Sequence, residues 1–396
     1  MTLPGSPLRC LVAAMLSLAI LSMPLATRAA DPYVIYVIAE VTGSNAFNGA
    51  EESKSALAVA DLYNKQGGIN GRPIKMVIED SQSSPKVAVQ LMNDAVAHNV
   101  AVVLGGGVVS TCNAMSGVIK DDGPVLYCWS SGVMPAPGSW VYSSSFSALD
   151  QMATGVNYMR ERGWTKIATI TSTDATGQEA DRNVDAVFGR PENKASSLVI
   201  REHFGISDIG VTAQLSRIKQ SGAQGLIAWT TGTGLGTVLR NLRDAGMDLP
   251  VLTTGGNLSY LQMEAYKDSI PSTMLFAAIP CLVPEAVTDP AAKRAVMQFI
   301  DYFKPLNVRP DIGYAVAWDG TVLVVQALRK FGDKATARDI RDFINSQTTY
   351  VGSLGPMDYK TFPQRGLGKD TILVARWDPL KDRFIGVSKP GGVPIK

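Results

Sequence analysis

From Asp31 onward the chain alternates short, nearly unbroken apolar runs with longer amphipathic ones. Residues 33–39, 74–79, 100–105 and 125–129 read as strands, dense in Val, Ile and Leu. Residues 49–66 and 85–98 read as helices, and a further helix, capped by Ser110 or Thr111, lies between the third and fourth strands. Strands apolar on both sides belong to a parallel sheet whose two faces are covered by helices.

The same alternation restarts after Ser147. Helices are predicted over 150–162, 178–188, 211–220 and 235–245, and strands over 166–171, 197–203, 225–229, 251–253 and 274–279. Two consecutive doubly wound units mean two α/β lobes, which facing each other make a cleft. Helices over 291–303, 312–331 and 336–345, then a hairpin-like stretch over 371–387, are too little for a third lobe and must pack back onto the first two. Ligands of open α/β sheets gather at the carboxyl ends of the strands. That directs attention to loops 41–48, 106–112, 130–134, 172–177, 230–234 and 254–260, which are rich in Ser, Thr, Gly and Asn.

The first thirty residues stand apart from this pattern. Arg9, an apolar run over 11–26 and the small residues Ala29 and Ala30 form a secretory signal peptide, cut after Ala29 or Ala30. The run is short for a membrane span, and no other stretch reaches that length without charges. The expected location is therefore the periplasm. Removing residues 1–30 takes away Arg9 and Arg28 and leaves 35 basic against 35 acidic residues. A neutral chain without a basic stripe disfavours nucleic-acid binding. Export exposes Cys112, Cys128 and Cys281 to oxidation. Cys112 and Cys128 fall at neighbouring strand ends, which allows a bridge; a pair of free, buried cysteines is the alternative.

Catalytic signatures are missing. The sequence contains no phosphate loop, no H-E-x-x-H, no G-x-S-x-G and no C-x-x-C. His98 and His203 are its two histidines, and both fall at element ends near the surface. Gly232, Gly234 and Gly236 open a helix after a strand, but the third glycine of a dinucleotide fingerprint would stand at Thr237, and no acid ends the next strand. We expect no enzyme activity, no cofactor and no metal.

One set of residues carries a resemblance. Thr42-Gly43, Asn48-Gly49-Ala50, the run from Asn64 to Pro73 (NKQGGINGRP), Glu79-Asp80, Pro85-Lys86 and Ala317-Trp318-Asp319 resemble the leucine/isoleucine/valine-binding protein family. The likeness covers essentially the whole mature chain. It implies the type I bilobal fold of the periplasmic receptors that serve ABC transporters, with a membrane permease and an ATPase as partners, a small-molecule ligand, and a monomer that closes about a hinge. It also implies three crossings between lobes, so lobe one would be 31–147 plus 283–357 and lobe two 148–282 plus 358–396.

The resemblance further implies which residues face the ligand. The ligand's carboxylate would be held by Val109, Ser110 and Thr111 and by Ser130, Ser131 and Gly132, with Val109 where the family usually has serine. The family's acidic partner for an α-ammonium falls on Gly255, followed by Gly256, and its lobe-two aromatic contact on Thr231. Glu40 and Asp174 are acids on other cleft loops, with nothing in the sequence aiming them inward. Trp129, Trp229 and Tyr260 add aromatic surface, and Phe47, Asn48 and Tyr314 are further candidates. A buried ammonium without a carboxylate is costly. The expected ligand is therefore an unaminated carboxylate or aromatic acid, ahead of a branched-chain or other amino acid and then an amide or urea. A ligand sensor for a signalling system is the alternative to a transport receptor.

Overall fold

The computed structural model describes Met1 and residues 31–395; the signal-peptide prediction lies outside the described residues. The first unit runs β1 (Tyr33–Ala39), α1 (Ala46–Asn64), β2 (Ile74–Asp80), α2 (Pro85–Ala97), β3 (Val102–Gly105), α3 (Val109–Ser116), β4 (Val125–Cys128) and β5 (Val141–Ser143). Its strands form a parallel sheet in the order β2-β1-β3-β4-β5.

The second unit runs α4 (Ala148–Glu161), β6 (Lys166–Ser172), α5 (Ala175–Phe188), β7 (Ser197–Phe204), α6 (Thr212–Gln220), β8 (Gly225–Trp229), α7 (Thr233–Asp244), β9 (Val251–Thr253), α8 (Tyr260–Tyr266) and β10 (Met274–Ala278). There follow α9 (Pro290–Phe303), α10 (Ile312–Phe331), α11 (Ala337–Asn345), the small hairpin β11 (Tyr350–Gly352) and β12 (Gly355–Met357), and the hairpin β13 (Leu373–Asp378) and β14 (Arg383–Gly386). The second sheet has the order β14-β13-β10-β9-β8-β6-β7, with the last hairpin antiparallel at its edge.

Local chemistry explains the helix starts. Ser147 and Asp174 cap α4 and α5 through their side chains, Asp289 and Pro290 start α9, and Thr336 and Asp339 form a capping box on α11. One expectation needs correcting: α3 starts at Val109 behind an extended Val108, without a side-chain cap. Ser110 and Thr111 therefore lie inside its first turn. Sequence patterning also missed β5, α8 and the β11–β12 hairpin, which are too short to show a period.

The later helices return to the first unit. Ser55 on α1 donates to the Tyr314 carbonyl on α10 (2.7 Å), Tyr302 on α9 donates to the Ala58 carbonyl (2.9 Å), and Tyr142 of β5 donates to Asn345 Oδ1 (2.7 Å). Strand order reverses between β1 and β3 in one sheet and between β6 and β8 in the other. Such reversals leave a crevice at the strands' carboxyl ends. The two crevices face each other.

Candidate ligand-binding cleft

Between them lies a cleft of about 560 Å³, counted out to its open mouth. One wall comes from the first unit: Asn48 and Glu52 of α1, Gly107, Val108 and Val109 leading into α3, and Trp129, Ser130, Ser131 and Gly132 after β4. Ile312, Gly313 and Val316 of α10 close its floor. Thr176 and Glu179 of α5, Trp229 and Thr231 after β8, and Thr254 and Gly256 after β9 make the opposite wall. The walls touch. Asn48 Nδ2 donates to the Gly256 carbonyl (2.7 Å), and Thr233 N donates to the Ser44 carbonyl (3.2 Å).

The structure thus brings Val109, Trp129, Ser130, Ser131, Gly132, Trp229, Thr231 and Gly256 to one cavity, together with Asn48. It does not bring six other candidates there. The Thr111 hydroxyl turns inward to Glu40 Oε1 (2.5 Å) and the Val108 carbonyl, and Ser110 does not line the cavity. Gly255 N donates to Gln151 Oε1 (2.9 Å) behind the wall. Tyr260 lies under the Arg309 guanidinium (3.5 Å from the ring centre) and packs on Phe384 and Trp377. Phe47 meets the edge of Tyr266, and Tyr314 meets Phe303. These aromatics are large enough to be drawn into the nearest core.

Four buried side chains on the cavity surface carry polar atoms without a protein partner: the Trp129 indole N–H, Asn48 Oδ1, Glu52 Oε2 and Glu179 Oε2. Buried polar groups are almost always paired, so such atoms mark where a ligand's polar groups fit. Glu179 is 5% exposed, and its other oxygen accepts from Asn183 Nδ2 (2.8 Å). Burial raises its carboxyl from the ordinary value, opposed by Asn183 and by the Arg365 and Arg182 guanidinium groups. Arg365 is itself buried, donating to the carbonyls of Ser145 (3.0 Å) and Val133, and burial lowers it to about 10.

A glycine permits a close approach across the cleft. A Cβ at position 132 would lie 2.5 Å from Val109 Cγ2 and 2.8 Å from Glu179 Oε2. Only the missing side chain lets the Glu179 carboxylate reach the first wall.

Sequence reasoning passed over Glu179, Glu52 and Thr176. A signal was present: Glu52 recurs with Ala56, Val59 and Tyr63, and Glu179 with Asn183 and Val187, on the buried stripe of their helices. An acid on an apolar stripe is a buried charge that needs a partner. Of the acids weighed from sequence, Asp174 caps α5 through Gly177 N (3.1 Å), and Glu40 sits behind Gly107, which donates to it (2.9 Å). Cys112 and Cys128 are joined in a disulfide that ties α3 to the end of β4, while Cys281 is free and buried. His98 and His203 bond to the Asp94 carbonyl and to Asp181 at the surface.

A family model described as "Periplasmic binding protein" matches residues 32–383. The "Leucine-, isoleucine-, valine-, threonine-, and alanine-binding protein" of Pseudomonas aeruginosa is 26% identical over 334 residues, spanning 83% of this chain and 86% of that protein. Among solved structures, the branched-chain amino acid transporter substrate binding protein LivJ from Streptococcus pneumoniae, in complex with isoleucine, superposes with a TM-score of 0.76 at 19% identity. It covers 90% of this chain and 99% of that one. A fatty acid ABC transporter substrate-binding protein from Thermomonospora curvata superposes equally well, at 0.76 and 18% identity, covering 91% and 92%. The shared architecture therefore leaves the ligand to the cleft residues.

Proposed function

The chain belongs to the periplasmic binding protein family, and from that premise we propose that it captures a free α-amino acid with a small apolar side chain and presents it to an ABC importer. Members of this family are solute-binding components of transport systems, which places the work outside the cytoplasmic membrane. Lobe one is assigned to 31–147 plus 283–357 and lobe two to 148–282 plus 358–396. The hydrogen bonds from α9, α10 and α11 to the first unit and the pairing of β13 with β10 support lobes made of two parts each, while the bonds of Tyr359 to Tyr127, of Ser143 N to the Gln364 carbonyl and of Arg365 to the Ser145 carbonyl carry the first lobe's second part past 357 to residue 365.

Glu179 carries the ligand assignment. The expectation of an unaminated acid rested on Gly255 standing where the family has an acid. In the folded chain α5 supplies a carboxylate to the same cavity from lobe two, with one oxygen free and the Arg365 guanidinium, held by first-unit carbonyls, near it. That is a partner for an ammonium group, and it removes the desolvation cost that argued against an amino acid. Backbone N–H groups opening α3, Ser131 and the Trp129 indole N–H suit the ligand's carboxylate. Val109, Val316 and Trp229 leave room for a small apolar side chain. Four of the five ligands named for the Pseudomonas aeruginosa relative, all but threonine, are of this kind.

Closure follows from such a ligand. A molecule that bonds Glu179 on one lobe and the α3 loop on the other binds the closed form better than the open one, and so shifts the population toward closure. Thermal shift of the mature protein with Leu, Ile, Val, Thr and Ala, each beside its deaminated acid and its amide, tests this. Stabilisation by the amino acids alone is expected. Equal stabilisation by 4-methylpentanoate and leucine would sink the reading.

A further inference from the structure

A second carboxyl group in the cleft has no role in the account above. Glu52 on α1 is 2% exposed and lines the cavity, and Oε2 has no partner. No backbone N–H, hydroxyl or cation among the described residues donates to it. Its neighbour Glu40, at the end of β1, is placed differently: Gly107 N donates to Oε2 (2.9 Å), and the Thr111 hydroxyl lies 2.5 Å from Oε1.

The two acids converge on Gly107. A Cβ built there would lie 2.6 Å from each Glu52 carboxyl oxygen and 2.9 Å from Glu40 Oε2. Two carboxyl groups that close, both out of water, cannot both be ionised; one keeps the proton. The donors decide which. Glu40 has a backbone N–H to stabilise its charge and Glu52 has none, so the proton belongs to Glu52. Burial, and after it the Glu40 charge, pushes the Glu52 carboxyl well above its ordinary range. The charged or titratable groups around it are Glu40, Glu51 beside it on α1 with Asp311 and Lys54 next to that residue, and Glu179 across the cleft with Arg365 and Arg182 near it.

We propose that Glu52 serves as a neutral carboxylic acid whose hydroxyl donates a hydrogen bond to the ligand's carboxylate, so that one cleft uses one glutamate as an acid and another as an anion. Glu179, with an amide and a guanidinium around it, receives the ammonium; Glu52, facing the N-terminal turn of α3, receives the other end. The selectivity that results is for ligands carrying a carboxylate rather than a second cation. The inference shares the ligand's carboxylate with the amino-acid reading but does not need its ammonium.

Two measurements test it on the full mature protein. Infrared difference spectra of ligand-free wild type and Glu52→Gln at neutral pH read the protonation state. A carbonyl band of an un-ionised carboxylic acid, lost in the variant, is expected; its absence overturns the proposal whatever the ligand. Calorimetry then compares L-leucine, 4-methylpentanoate and L-lysine. With whichever carboxylate binds, Glu52→Gln, which keeps a neutral donor, should stay within about threefold of wild type. Glu52→Ala should lose about 10- to 100-fold, the worth of a hydrogen bond to a charged group. Equal losses in the two variants overturn the donor role, as does tighter binding of lysine than of leucine. If 4-methylpentanoate matches leucine, the amino-acid reading fails while the Glu52 result stands.

Discussion

The two walls of the cleft are built by different means. On lobe one, loops leaving β3 and β4 present backbone N–H groups and hydroxyls, and a disulfide between Cys112 and Cys128 holds the two loops together. On lobe two, the decisive group is the Glu179 side chain, projecting from the second turn of α5 and steadied by Asn183, with the Arg365 guanidinium near it on the Ser145 and Val133 carbonyls of the first unit. A wall of backbone donors bound into a covalent frame is largely preformed; a wall that depends on one carboxylate is where chemical selectivity can change without disturbing the fold.

The largest effect should come from the single group. Glu179→Gln removes the charge facing the ligand's ammonium and keeps the size. Leucine affinity should fall about 100-fold, roughly 3 kcal/mol, as expected when one partner of a buried charge pair is lost. Affinity for 4-methylpentanoate should hold or improve. Calorimetry on both ligands reads the difference, and an equal change in both would mean that Glu179 does not face the ammonium.

This contrast also separates what the sequence disclosed from what it did not. Strand ends could be placed because runs such as Val125–Cys128 are apolar throughout, and loops follow strands; that put Ser130, Ser131, Gly132, Trp229 and Thr231 at the cleft. Helix-borne groups were harder. Whether Glu179 points into a cavity or to solvent depends on how α5 is rotated over its sheet, which a fourteen-residue pattern with Ala180, Val184 and Val187 fixes only once the packing partners are known. Tyr260 and Tyr314 were misread for the converse reason: their positions in sequence are near the cleft, but Arg309, Phe384 and Phe303 draw their rings elsewhere.

The covalent frame of lobe one gives the next prediction. Replacing Cys112 and Cys128 together by serine releases a sixteen-residue separation in the unfolded chain. Chain entropy alone assigns about 3 kcal/mol of stability to closing such a loop. Urea unfolding should report a loss of that order, with leucine affinity falling by less than Glu179→Gln costs. An unchanged midpoint would show that packing of α3 on its sheet, and not the bridge, fixes that wall.

Gly132→Ala tests one close contact between the walls. The added methyl would meet Val109 Cγ2 and Glu179 Oε2 below contact distance. Overpacking of this sort costs about 1–3 kcal/mol; the Val109 contact lies within lobe one and acts in either form, and the Glu179 contact is added when the lobes close. Leucine affinity should drop about tenfold, with a smaller loss of melting temperature in the ligand-free protein. A fall in stability with affinity preserved would place the strain within lobe one.

The smallest effect concerns the floor beneath both walls. Glu51 on α1 lies against Asp311, which accepts from Tyr260 N (2.9 Å) and Gly313 N (3.3 Å) and so keeps the charge of the pair. Burial, then Asp311, pushes the Glu51 carboxyl up to about 11. Between the ordinary carboxylate range and that value the folded chain holds a proton that the unfolded chain has released, so stability from this group is complete at acid pH and is lost as pH rises. Glu51→Gln has no proton to lose and keeps the shape. Its leucine affinity should match wild type, and its melting temperature should match wild type near pH 5 and exceed it by a margin that grows as pH rises to 9. A difference that stays flat from pH 5 to 9 would mean that Glu51 is charged in the folded protein, and that the floor, like the lobe-two wall, is held by an ionised acid.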